Sequence, residues 1–196
     1  MFRMSNNFYK SNSGQTLLEL VVVVGVSVLI IGALVFATIS SLRNAQFSKY
    51  QTQATKLAQE RLERVRTARD RNKPISGLGD SVTSWDGSSV TKCQGNPLIN
   101  EDSIWCYRIS GNCDSPDINN TCYYFKLDPS TGLLNNISNS IFPDTQAEQI
   151  DFFRIAIALS DDPDDYQNSK RVTAIVRWGN SPDIHESRLT TILRRL

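Results

Sequence analysis

One carboxylate stands out by its surroundings. Glu19 is the only charge in residues 17–39, a run otherwise made of Val, Leu, Ile, Ala and Gly with Ser27, Phe36 and Thr38. A carboxylate in hydrocarbon costs on the order of a few kcal/mol, so it needs a partner or a task. The second group able to do chemistry is Cys93, Cys106, Cys113 and Cys122, all beyond the apolar run. An even count in one extracytoplasmic segment suits disulfides. Four cysteines allow three connectivities, of which the local pairing Cys93–Cys106 and Cys113–Cys122 is expected. Zinc is disfavoured because no two are spaced as CxxC; a reduced, structural set is the alternative in a reducing compartment. A third group, Asp161, Asp162, Asp164 and Asp165, offers oxygens to calcium but lacks EF-hand spacing and glycine. A solvated hairpin tip is the expected role. His185 is the only histidine, and with no Ser or Cys placed to pair with it a nucleophilic triad has no support; a surface or strand-start position is expected. No residue set calls for a cofactor or resident metal, and the chain is not expected to be an enzyme.

The elements that must position these residues follow from pattern. Residues 17–39 are long enough to cross a bilayer core of roughly 30 Å. Residues 1–14 hold Arg3 and Lys10 and no acid, as a cytoplasmic leader would. A secretory signal would put its cleavage site after the apolar run; the natural boundary here is Gly14, before it. The positive-inside rule then leaves the leader cytoplasmic. From 40 to 71 there is no Pro or Gly, and Phe47, Tyr50, Ala54, Leu57, Ala58, Leu62, Val65 and Ala68 recur at three- and four-residue steps. That is one stripe of a helix. Lys49, Gln53, Lys56, Glu60, Arg64 and Arg71 occupy the other face, with Glu60 and Arg64 in the favourable order for an ion pair. One helix over 17–72 is expected, roughly 80 Å long at 1.5 Å per residue, and a globular head must cover its stripe.

The head reads as β. Residues 75–103 are Gly-, Ser-, Asp- and Asn-rich, a loop with one short strand. Residues 104–110 and 121–127 are aromatic and β-branched enough for strands, and Trp105, Tyr107, Tyr123, Tyr124 and Phe125 are expected to fill the core beside them. Asp128-Pro129-Ser130-Thr131-Gly132 is a turn. Residues 150–160, 171–178 and 187–195 alternate apolar and polar, an antiparallel meander with one face to be packed. The expected class is α+β: a long N-terminal helix packed by its second half on a C-terminal antiparallel sheet. The organisation expected is a leader at 1–14, a transmembrane half-helix at 15–44, an amphipathic half at 45–74 and a β-rich head at 75–196.

The string Ser13-Gly14-Gln15-Thr16-Leu17-Leu18-Glu19-Leu20 resembles the class III signal of type IV pilins and pseudopilins. The match comprises Gly14, Thr16, Leu17, Leu18, Glu19 and Leu20; Gln15 departs from the phenylalanine most common there. The stretch 54–63 and the closing 188–193 are similar to minor pilins of the PilV type and to minor pseudopilins of type II secretion. The resemblance implies a pilin-like fold and a structural subunit of a type IV pilus-like filament. It implies cleavage between Gly14 and Gln15 by a prepilin peptidase, N-methylation of Gln15, and a role for Glu19 in assembly. It also implies partners that are other pilins or pseudopilins, residence in the inner membrane as a single-pass protein with an extracytoplasmic head, and then a place in a surface or periplasmic filament. An adhesive or DNA-binding competence head is the alternative. The chain carries 21 basic and 20 acidic side chains, and without residues 1–14 the basic count falls to 19, so nucleic acid is a disfavoured partner.

Overall fold

The structure is a computed structural model describing residues 13–71, 75–76, 83–84, 107–109, 113, 122–138, 141–162, 165, 168–179 and 182–195, with side chains from residue 17 and without those of 75–76, 83–84 and 107–108. The chain is α+β, a long N-terminal helix packed by its second half on an antiparallel sheet. Helix α1 spans Ser13–Asp70, two residues short of the expected end. The chain divides into two units, Met1–Lys49 and Tyr50–Leu196, and α1 contributes to both.

In the first unit, the apolar side chains of α1 are exposed along its length, with Leu29 at 74% and Phe36 at 76%. No core claims them. Ser27 donates to the Val23 carbonyl at 2.8 Å and Thr38 to the Leu34 carbonyl at 2.7 Å. Both hydroxyls are thus satisfied inside the helix, as a hydrocarbon setting demands.

In the second unit, the strands are β1 Ile75–Ser76, β2 Thr83–Ser84, β3 Tyr107–Arg108, β4 Tyr123–Leu127, β5 Leu134–Ser138, β6 Glu148–Ile150, β7 Phe153–Asp161, β8 Ser169–Trp178 and β9 His185–Arg194. The main sheet runs β1-β5-β4-β7-β8-β9, with β6 beside β7, and β2 pairs β3 separately. All its pairs are antiparallel except β1 with β5. The meander β7-β8-β9 has the expected antiparallel order, and its registers run from Arg154↔Arg177 to Asp161↔Lys170 and from Ser169↔Arg194 to Trp178↔His185.

Several expectations need correction. Residues 150–160 are not one strand: Ile150 closes β6, and a two-residue turn at Asp151 and Phe152 precedes β7. Asp151 sits at φ 53°, a left-handed conformation that short polar side chains tolerate. The loop 75–103 holds two short strands rather than one, and of 104–110 only Tyr107 and Arg108 are strand among the described residues. Strand β5 lies where none was expected, as does β6 apart from Ile150.

The larger core joins helix and sheet. Ala54, Ala58, Leu62 and Val65 of α1 meet Phe153, Ile155, Ile157 and Leu159 of β7 and Val172, Ala174, Val176 and Trp178 of β8. The expected alternation therefore selects the helix-facing side. The stripe begins at Tyr50, since Phe47 is 45% exposed and lies in the first unit. Polar contacts repeat along β9: Thr55 with Ser187, Arg66 with Thr191 at 3.1 Å, and Arg69 with the Arg194 carbonyl at 3.2 Å. Fourteen helical residues rise about 21 Å and seven strand residues about 23 Å. The helix segment and β9 thus run alongside each other in the same sense, at matched pace.

The other sheet face is covered as well, which alternation alone did not suggest. Cys113, Cys122, Tyr124, Phe142, Ala147, Ala156, Ala158 and Ile175 form a second cluster there. Of the aromatic set, Tyr123 and Phe125 enter the helix-side core and Tyr124 the opposite one; the Trp105 and Tyr107 side chains lie outside the described residues.

Candidate functional site

The N-terminal string is helical from Ser13 onward. The Gln15 side chain lies outside the described residues. Glu19 follows Gln15 by four positions, about 6 Å of helical rise, so the two stand one turn apart. Glu19 is exposed, and its side chain makes no hydrogen bond or ion pair among the described residues. Its neighbours Leu17, Leu18, Leu20 and Val21 are each 60–69% exposed. A carboxylate on an apolar surface has its charge open to a group from outside the chain. Gly25 and Gly32 have open space where a Cβ would stand and, seven residues apart, share one side of the helix, where another helix can approach closely. By length and composition α1 is able to cross a membrane.

Where the helix enters the head, charge settles its seating. Arg61 is 3% exposed. Its Nε donates to Glu148 Oε2 at 2.8 Å and its Nη2 to Glu148 Oε1 at 2.5 Å, while Nη1 reaches Glu60 at 3.0 Å. This two-point fork, between α1 and β6, was not anticipated. The spacing held the signal, because Ala54, Ala58, Arg61, Val65 and Ala68 form one unbroken three-and-four series. The expected Glu60–Arg64 pair is present at 2.7 Å. Burial of Glu60 opposes its ionisation, but Arg64 and Arg61 outweigh that and hold its carboxyl below the usual range.

The remaining candidates fall in three places. Cys113 and Cys122 form a disulfide with Cα atoms 5.1 Å apart, the expected local pairing, while Cys93 and Cys106 lie outside the described residues. The disulfide sits over the second sheet face beneath a charged layer. There Arg188 donates to the Cys113 carbonyl at 3.1 Å and to Glu186, and Arg177 bonds Glu186 at 2.6 Å. The Arg177 guanidinium also stacks 4.1 Å over the Phe142 ring. Burial raises the Glu186 carboxyl, yet Arg188 and Arg177 together bring it below the ordinary range.

The acidic group lies at the β7–β8 hairpin. Asp161 pairs with Lys170, and Asp165 accepts from the Asn168 amide groups at 3.0 and 3.3 Å; Asp164 lies outside the described residues. No set of three metal-ligating side chains occurs among the described residues, and Asp161 Oδ1 accepts from the Lys170 ammonium. His185 opens β9, exposed, with its ring centroid 5.6 Å from that of Trp178, the strand-start position expected.

No protein-family model matches the chain, and neither a curated protein nor a solved structure matches it.

Proposed function

We propose that the chain is a structural subunit of a type IV pilus-like filament, a minor pilin or pseudopilin. A prepilin peptidase cuts it between Gly14 and Gln15, and Gln15 becomes the N-methylated first residue. The observation that carries this reading is the Gly14–Glu19 string at the head of a helix that is apolar and exposed in its first unit and seated on an antiparallel sheet in its second. Before assembly the apolar segment crosses the inner membrane once, with the head extracytoplasmic. Cleavage creates an α-amine one turn from Glu19. In a bundle of such helices the amine of one copy and Glu19 of its neighbour neutralise each other, which offsets the cost of a carboxylate in an apolar surrounding.

The test is the N-terminus of the native protein. Mass spectrometry is expected to find a chain starting at methylated Gln15; a chain retaining residues 1–14 in assembled filaments overturns the reading. Replacing Glu19→Val is expected to leave membrane insertion intact while removing the protein from sheared filament fractions. Equal recovery of variant and wild type in those fractions would contradict the role given to Glu19.

A further inference from the structure

Lys170 is an uncommon residue for its position. It is one of the largest fully buried side chains in the protein, at 1% exposure. It lies directly across from Asp161 on the paired strands β7 and β8. Alternation puts both on the face that carries Leu159 and Val172, the helix-side core. The Lys170 Nζ donates to Asp161 Oδ1, and the Asp161 side chain is only 9% exposed. Its second oxygen, Oδ2, is buried without a hydrogen-bond partner among the described residues. A buried ion pair must repay the desolvation of both charges and satisfy its remaining lone pairs. This pair leaves one carboxylate oxygen unsatisfied.

We propose that Lys170 and Asp161 condense in the folded protein to an amide linking Lys170 Nζ to Asp161 Cγ. Proton transfer along the hydrogen bond gives a neutral amine and a carboxylic acid protonated on Oδ1. The amine lone pair attacks Cγ, and the Nζ–Cγ bond forms. The second amine proton passes to Oδ1 as the Cγ–Oδ1 bond breaks, and Oδ1 leaves as water. An ammonium and a carboxylate become one amide and one water, with no net change in charge or oxidation state. Two conditions favour the step. Burial holds the Lys170 amine below the ordinary lysine range, against the opposing pull of Asp161, which raises the share of the nucleophilic form. Reactants held in a near-attack geometry reach effective molarities on the order of 10⁵–10⁸ M, and the hydrogen bond holds Nζ beside the carboxyl group that it attacks. The product removes both buried charges together.

A tryptic digest of the full chain, purified in detergent, reduced and denatured, tests this. Asp161 and Lys170 both lie between Arg154 and Arg171. An amidated Lys170 is no longer a trypsin site, so the expected product is peptide 155–171, one water lighter than its sequence, with no backbone fragments separating residues 161 and 170. Loss of water through a succinimide would leave the cut after Lys170 intact, and so counts against the bond. Asp161→Ala and Lys170→Arg are expected to restore the full mass. Should either variant fail to fold, the wild-type digest still decides. A wild-type peptide 155–170 of full mass, cut after Lys170, overturns the proposal.

Discussion

The seating of the helix rests on Arg61, and a double-mutant cycle measures how much. Arg61 is 3% and Glu148 14% exposed, joined by two hydrogen bonds of 2.8 and 2.5 Å. At an effective dielectric near 20, opposite unit charges about 4 Å apart attract by about 4 kcal/mol. Removing one partner of a buried pair costs about 3–5 kcal/mol, because the survivor stays desolvated. Two features lower that figure here. Glu60, half-exposed, retains one bond to Arg61, and Glu148 is near enough to solvent to rehydrate. Glu148→Gln is therefore expected to cost about 3 kcal/mol and Arg61→Met about 2–3 kcal/mol. The double variant Arg61→Met with Glu148→Met should lie within about 1 kcal/mol of wild type, since a packed apolar pair of similar volume replaces the ions without their desolvation. Urea unfolding of the full chain in non-denaturing detergent, followed by near-ultraviolet circular dichroism, reads these differences. Single variants within about 0.5 kcal/mol of wild type, adding to the double, would show the pair to be hydrated and the reasoning wrong.

The charged layer over the second sheet face has a pH signature. The folded Glu186 carboxyl titrates below its unfolded value, so its contribution is complete above the ordinary glutamate range near about 4.3 and is lost as pH falls through the lower folded value. Glu186→Gln is expected to lower the urea midpoint at neutral pH and to shrink its fall on acidification; an unchanged acid limb would count against this. Gly179 holds φ 93°, and an added Cβ would strike the Asp183 carbonyl oxygen. Gly179→Ala should cost about 2–3 kcal/mol, whereas Gly132→Ala, with φ 70° and open space, should cost about 1 kcal/mol; equal midpoints for the two would be the contrary result. Paired Cys113→Ala and Cys122→Ala replacements open a loop of nine-residue separation and should cost about 2–3 kcal/mol by loop entropy, an effect that reduced wild type should reproduce.

Much of this fold was legible because its strongest signals are periodic. The steps from Tyr50 to Ala68 defined the buried helix face, and the alternation from Phe153 to Leu159 and from Val172 to Trp178 defined the facing sheet side. Arg61 was passed over because its charge outweighed its place in the series, although a guanidinium with a two-point partner is as good a buried residue as its neighbours. Strand β6 was lost because Ile150 continues the alternation of β7 through a turn whose only marks are Asp151 and Phe152. The second face was lost because Ala156, Ala158 and Ile175 read as tolerable exposed residues when nothing in their own strands shows what covers them. Of the candidate site, the Gly14–Glu19 string could be read because it is local. Long-range juxtapositions such as Arg188 beside Cys113 or Arg61 beside Glu148 have no local mark.

The contacts between the helix and β9 also have a mechanical meaning. Thr55, Arg66 and Arg69 grip Ser187, Thr191 and the Arg194 carbonyl at successive heights, and Arg61 grips Glu148 between them. A tensile load along the helix axis meets these four attachments side by side rather than in sequence. Such a joint fails in shear, with every attachment sharing the force, and not by peeling one bond after another. A chain pulled by its helix would transmit tension to its sheet before the helix came away.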